Sequence, residues 1–239
     1  MIIHDKYFKD QNDGLIYIHI PKTAGTSIER GFNINDSMTT NFHNYVGWDH
    51  GHKIWMQHAT LQQIRQWWGP VIKDYFSFTF IRNPFDRAVS DWLWFKSGRS
   101  GSTHDYSNTI FRDYLLCQNS FKSLNNVDIA NRDPGTFRSD HILPQSRFIR
   151  DNISGENLHV DFIGRFENLQ QDWIKLMNLL SVKYKTEFNI KLPHINKSRS
   201  KRWNNNHYST YYDDETREIA TELYKADLAL FKYEFETVC

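Results

Sequence analysis

Long apolar runs are missing from this 239-residue chain. No stretch approaches the roughly 18 consecutive apolar residues of a membrane span. The opening, Met-Ile-Ile-His-Asp-Lys-Tyr-Phe-Lys-Asp, lacks the layout of a signal peptide. Cysteine is scarce: Cys117 and Cys239 cannot build a disulfide framework, and Cys117 falls in an apolar helical pattern that suits a buried thiol. These absences point to a soluble protein of a reducing compartment, with the cytoplasm as the expected location and no membrane partner. Metal-ligand spacings are missing too, with no C-x-x-C, no H-E-x-x-H and no EF-hand loop, so no metal is expected. Charge of one sign is not in excess. The 29 Lys+Arg stand against 28 Asp+Glu, leaving a formal +1. That balance argues against a nucleic-acid partner while leaving room for a local basic pocket for a small polyanion. No repeat, low-complexity tract or clear linker is visible, so a single domain over 1–239 is the expectation.

What is present supports a packed core: 39% hydrophobic and 15% aromatic residues, with eight tryptophans. Residues 15–20 read as a buried strand, and a helix is expected from Thr26 to about Phe32. Residues 33–54 are polar and read as loop. Leu61, Ile64, Trp67 and Trp68 mark a short helix over 59–68 that stops at Gly69. Residues 75–81 form a second strand, after which Asn83-Pro84 supplies an N-cap and a proline at the first helical position. That helix carries Ala88, Val89, Trp92, Leu93 and Phe95 on one face. Ile110, Phe111, Tyr114 and Leu115 mark another helix, and 119–140 read as irregular. A third strand is expected over 160–164, with a helix behind it carrying Leu169, Trp173, Leu176, Met177 and Leu180. The last helix opens on Asp213-Asp214-Glu215 and should bury Ile219, Leu223, Ala226 and Leu230. Strands alternating with helices imply an α/β fold, a central parallel sheet with helices on both faces. Ligands of such sheets sit beyond the carboxyl ends of the strands, where Lys22 and Arg82 both fall.

Pro21 to Ser27 has the grammar of a strand feeding an anion-gripping turn and then a helix. It is not a nucleotide P-loop of the G-x-x-x-x-G-K-[ST] kind, because the first glycine is missing and Lys22 precedes the small residues. Gly25 permits close backbone approach, and Thr26 and Ser27 can cap the helix or donate hydroxyls. The plainer alternative is an ordinary strand–turn–helix connection with a surface lysine. In the second segment, Arg82 at a strand end offers a planar fork suited to a second phosphate. The plainer alternative there is an ion pair with a carboxylate such as Asp86.

The pair Ile18-His-Ile-Pro-Lys-Thr-Ala-Gly-Thr-Ser27 and Ile81-Arg-Asn-Pro-Phe-Asp-Arg-Ala-Val-Ser90 strongly resembles the sulfotransferases that use 3′-phosphoadenosine 5′-phosphosulfate (PAPS). The likeness continues in Gln57-His-Ala-Thr60, in Val160–Leu169, in Leu192–Ser198, in Tyr211–Asp214 and in Phe231–Phe235, and so spans most of the chain. It is to the branch containing heparan sulfate 6-O-sulfotransferases and many bacterial enzymes. The resemblance implies a P-loop-like fold. It implies that Lys22, Thr23, Ala24, Gly25, Thr26 and Ser27 hold the 5′-phosphosulfate, that Arg82 and Ser90 hold the 3′-phosphate, and that Ser198 and Arg199 add cofactor contacts. It also implies that His58 is the catalytic base, an imidazole titrating near ~6.5 being suited to taking a hydroxyl proton near neutrality. His141 and Gln145, in Asp140-His-Ile-Leu-Pro-Gln145, either meet the acceptor or order a loop. His19 is expected to be packed, and Glu167 and Asn168 to cap.

The implied reaction is in-line transfer of the sulfuryl group to a hydroxyl or amine of a small molecule or saccharide, with Lys22 stabilising charge on the bridging oxygen. The second product is 3′,5′-bisphosphoadenosine (PAP). Two alternatives stand beside it: a P-loop-type kinase using ATP, and a catalytically silent saccharide-binding protein. Trp48, Trp55, Trp92, Trp94 and Trp203 either line an aromatic pocket or pack in the core.

Overall fold

The computed structural model describes residues 1–3, 8, 13–33, 48–49, 54–97, 107–120, 141, 143–151, 154–193 and 206–237, with backbone alone at 48–49, 54–55 and 117–120. Strands β1 (Ile2–Ile3), β2 (Leu15–Ile18), β5 (Phe76–Ile81) and β6 (Phe162–Arg165) form one sheet in the order β1-β2-β5-β6. β2, β5 and β6 run parallel, so the α/β expectation holds. β1 departs from it, pairing antiparallel with β2 through Ile2–Ile16 and Ile3–Leu15. The connection over 4–14 is too short for the helical crossover that a parallel pair needs. A second, two-stranded sheet pairs β3 (Trp48–Asp49), inside the 33–54 segment expected to be loop, with β4 (Ile54–Trp55) at its end. Two-residue strands are too short to show any periodicity.

Alternation along β2 divides the core. Leu15 and Tyr17 face one side, with Ile28 of helix α1 (Gly25–Gly31), its C-cap Phe32, and Trp173, Leu176 and Leu180 of helix α5 (Leu169–Tyr184). Ile16 and Ile18 face the other, with Leu61 and Ile64 of helix α2 (Leu61–Trp68) and with Phe148 and Ile149. Helices therefore cover both faces, and β2 is fully buried. A third cluster joins helix α3 (Pro84–Lys96), helix α4 (Phe111–Ser120) and helix α6 (Asp214–Leu223) through Phe85, Trp92, Phe95, Tyr114 and Leu223.

The expected last helix is two helices. α6 ends at Tyr224, whose φ of −106° and ψ of 15° leave the helical region, and α7 (Lys225–Phe231) starts on a new phase. Ala226 is therefore exposed and Leu230 only half-buried, while Asp227 is completely buried. Its carboxylate accepts the backbone N–H groups of Gln145 and Ser146 at 2.7 and 2.8 Å. Burial raises the pKa of that carboxyl. Among the described residues no helix is long and apolar enough to cross a membrane.

Candidate active site

The loop between β2 and α1 turns on two residues in the left-handed region, Lys22 (φ 70°) and Ala24 (φ 75°). Such a turn directs successive N–H groups to one side and can cradle an anion. The buried Thr23 hydroxyl donates to the carbonyl of Ile20 at 2.8 Å, which leaves Lys22, Ala24 and Thr26 outermost and Ser27 buried. Gly25 must be glycine, because a Cβ there would lie 1.7 Å from His19 Nε2. The Lys22 ammonium rests over the Trp94 ring, 5.0 Å from its centroid.

Parallel pairing of Ile18 with Thr79 brings the end of β5 beside this loop. Arg82 follows directly. Its Nη1 donates to the Lys22 carbonyl at 3.2 Å, its Nε meets Asp86 at 2.7 Å, and its guanidinium stacks on Phe166 at 4.2 Å. The ion pair with Asp86 offered by the sequence is therefore formed, and the guanidinium also reaches the Lys22 loop. Gln145, with no exposed surface, holds the Arg82 backbone like a neighbouring strand, accepting its N–H and donating to its carbonyl at 2.8 Å each. Its own N–H donates to Asp227, so these three bonds tie Gln145 to the Arg82 backbone and to the last helix. Ser90 is half-buried on α3. Ser198, Arg199 and Trp203 lie outside the described residues.

The sequence reading passed over Arg87. It is 1% exposed and ties the loop to the 141 segment, donating to the carbonyls of Pro21 at 3.0 Å and His141 at 2.8 Å. The only available signal was a second arginine on the apolar side of a helix, five positions beyond Arg82. Asn83 caps α3 as expected, accepting the Phe85 N–H at 3.1 Å. Glu167 accepts the Asn83 N–H at 2.6 Å and the Tyr233 hydroxyl at 2.8 Å, a supporting role.

His58 ends a 3-10 turn, Met56–His58, immediately before α2. A capping box fixes that junction, with Thr60 Oγ1 accepting the Gln63 N–H at 3.2 Å and Gln63 Oε1 accepting the Thr60 N–H at 2.9 Å. His58 is 7% exposed, and its ring packs against two other imidazoles, His19 at 4.8 Å and His141 at 5.1 Å between centroids. His141 stacks in parallel on Trp94 at 4.7 Å, which leads back to Lys22. Its Nδ1 meets Asp91 at 2.7 Å, and the Tyr114 hydroxyl donates to the other Asp91 oxygen at 2.8 Å. Burial acts to raise the Asp91 pKa, but the charge and hydrogen bond of His141, with Lys22 and Tyr114, hold it below its usual range. His19 is packed, as expected, and paired as well: its Nδ1 lies 2.6 Å from Glu29 Oε1, an ion-pair contact poorly aligned for a hydrogen bond. Glu29 likewise titrates below its usual range, with burial opposed by His19 and His58. Trp92 is core, donating to the Thr109 carbonyl at 2.8 Å. Among the described residues no acidic, histidine or cysteine cluster is spaced to hold a metal ion.

The model of one family, described as the sulfotransferase family, matches residues 5–234. Neither the curated proteins nor the solved structures contain a match to this chain. The family implies a P-loop-like fold, and the β2–loop–α1 unit on a mostly parallel sheet conforms to it. The matched span takes in the Lys22 loop, the Arg82 strand end and the three clustered imidazoles, and with nearly its whole length covered, the chain belongs to the sulfotransferase family.

Proposed function

We propose that this sulfotransferase uses PAPS as donor, releases PAP, and sulfates a hydroxyl or amine of a small molecule or saccharide. The observation that carries the reading is the meeting of two cationic motifs, with the Arg82 guanidinium donating to the carbonyl of Lys22 itself. A ligand carrying anionic groups at two places finds both on one sheet edge. The donor set fits such a ligand: an ammonium at Lys22, backbone N–H groups of a left-handed turn, the Thr26 hydroxyl and a guanidinium, with no acidic side chain from the loop itself. Asp86 neutralises part of the Arg82 charge and fixes its fork in place.

When bound, the donor supplies a sulfuryl group on a phosphate leaving group, open to in-line displacement. Lys22 through Ser27 hold the 5′ end and offset negative charge at the linking oxygen; losing one such preorganised donor elsewhere costs roughly 3–4 kcal/mol. Arg82 and Ser90 hold the 3′-phosphate, joined by Ser198 and Arg199. His58 takes the proton of the acceptor, an effect of about 10²–10⁴-fold. Its contact with His19, which itself lies against Gly25, supports placing the base beside the donor loop. His141, paired with Asp91 one ring away, borders the acceptor side. Scarce cysteine supports a reducing compartment such as the cytoplasm.

The test is transfer of labelled sulfate from PAPS across a panel of acceptors, with His58→Ala as control. The variant should bind PAP as the parent does while turnover falls about 10²–10⁴-fold. Full turnover in His58→Ala removes it from the mechanism. A thermal shift with ATP–Mg²⁺ and none with PAP would favour the kinase alternative.

A further inference from the structure

The His58 ring packs against two other imidazoles, and each of those is paired with its own buried carboxylate. Glu29, 6% exposed on α1, holds His19 at 2.6 Å. Asp91, 1% exposed on α3, holds His141 at 2.7 Å. The His58 ring meets His19 at an interplanar angle of 80° and His141 at 79°. Two near-perpendicular ring contacts, from residues far apart in the chain, restrict the turning of the His58 ring. The two neighbouring rings are themselves packed. His19 is stacked on Tyr17 at 13° and lies against Gly25, and His141 is stacked on Trp94 at 7°. Tyr114 fixes Asp91 in turn, and Arg87 fixes the backbone of His141.

Each buried charge carries a large desolvation penalty unless paired. The Asp91–His141 hydrogen bond has the logic of a histidine oriented by an acid, and the Glu29–His19 ion pair adds a second charged support to a ring that touches His58. We propose that the pairs Glu29–His19 and Asp91–His141 are positioning pairs that hold the His58 ring in one orientation and one tautomer, facing the acceptor. The inference rests on the reading of His58 as the base, and it adds Glu29, His19 and Asp91 to the machinery of that site and gives His141 a positioning role. Through His19 and Gly25 it also couples the base to the donor loop, so that a displaced donor loop displaces the base.

The experiment uses the full chain with bound PAP, comparing the parent with Glu29→Gln and Asp91→Asn. Histidine side-chain ¹⁵N spectra report each ring, and the His58 signals are those lost in His58→Gln. In the parent, His58 should show the two well-separated nitrogen shifts of one neutral tautomer. In either variant the two shifts should converge as the ring samples both tautomers, with PAP affinity unchanged within about twofold. Release of labelled sulfate from PAPS to water should fall about tenfold or more in kcat, with the donor KM unchanged and kcat referred to the fraction of protein that binds PAP, so that unfolded protein is not counted. Unchanged His58 shifts and unchanged kcat in both variants overturn the proposal, as does an averaged His58 in the parent. Because the spectra need no turnover, an active His58→Ala would remove the base reading while leaving the ring-holding pairs standing.

Discussion

Gly25→Ala is the perturbation that joins fold to site most tightly. The added Cβ would fall 1.7 Å from His19 Nε2 and 2.3 Å from two ring carbons, far inside any real contact. The ring has nowhere to retreat. Its Nδ1 sits on Glu29 at 2.6 Å, one face is stacked on Tyr17, and its edge contact with His58 closes another side. Either the loop moves outward, an overpacking cost of about 1–3 kcal/mol, or the His19–Glu29 pair breaks, about 3–5 kcal/mol for a buried charge left alone. Taking the cheaper range to the lower end of the dearer one gives roughly 1–3 kcal/mol. At about 2–4 °C per kcal/mol for a chain of this size, the melting temperature should fall by about 2–12 °C. PAP affinity should weaken as well if the loop is what yields. A double-mutant cycle with His19→Asn isolates the cause, because the shorter side chain removes the collision. The coupling should be at least about 1 kcal/mol, with His19→Asn less damaging in the alanine background than in the parent. A Gly25→Ala protein with the parental melting temperature, and additive effects in the cycle, would refute the close packing of His19 beneath the loop.

Arg82→Ala should weaken PAP binding by about 1.5–3 kcal/mol, the scale for a lost charged hydrogen bond, or roughly tenfold to a hundredfold by calorimetry. Gln145→Ala leaves the N–H and carbonyl of Arg82 without their partner, so stability without any ligand should drop by about 1–3 kcal/mol; a change confined to the acceptor KM would support the acceptor role. Glu29 and Asp91 have folded pKa values below their usual ones, so the stability they contribute is present above the ordinary carboxyl range and is lost as pH falls through the lowered values. Melting temperature should therefore fall steeply below about pH 4 in the parent and less steeply in Asp91→Asn. Asp227, whose folded pKa is raised by burial, acts in the opposite sense: its contribution weakens as pH rises through the raised value, which Asp227→Asn should abolish.

Local chemistry made much of this legible. A strand ending in Ile-Pro-Lys-Thr-Ala-Gly, and an Arg-Asn-Pro junction with its own cap, declare themselves within a few residues, and both stand where that grammar puts them. The partnerships that lock the site span the chain and leave no local trace. Gln145 serves Arg82, Glu167 serves Asn83, and Asp227 serves the turn that holds Gln145. Each acidic or amide residue reads from sequence as surface or loop, because the buried groups it satisfies lie on another element. His19 was legible as packed, but not as paired, since the Glu29 that reaches it does so only once α1 has formed. The break at Tyr224 was hidden for a related reason: the apolar spacing through Leu230 fits one continuous helix, and only the demand for Asp227 beneath Gln145 sets the second phase.

Titration of the full chain with PAP, beside Lys22→Ala and Arg82→Ala, tests most directly whether one sheet edge grips a doubly anionic adenosine ligand. The expected result is saturable binding in the parent, weakened at least tenfold by either substitution. Binding that is absent in the parent, or equally tight in both variants, would contradict it.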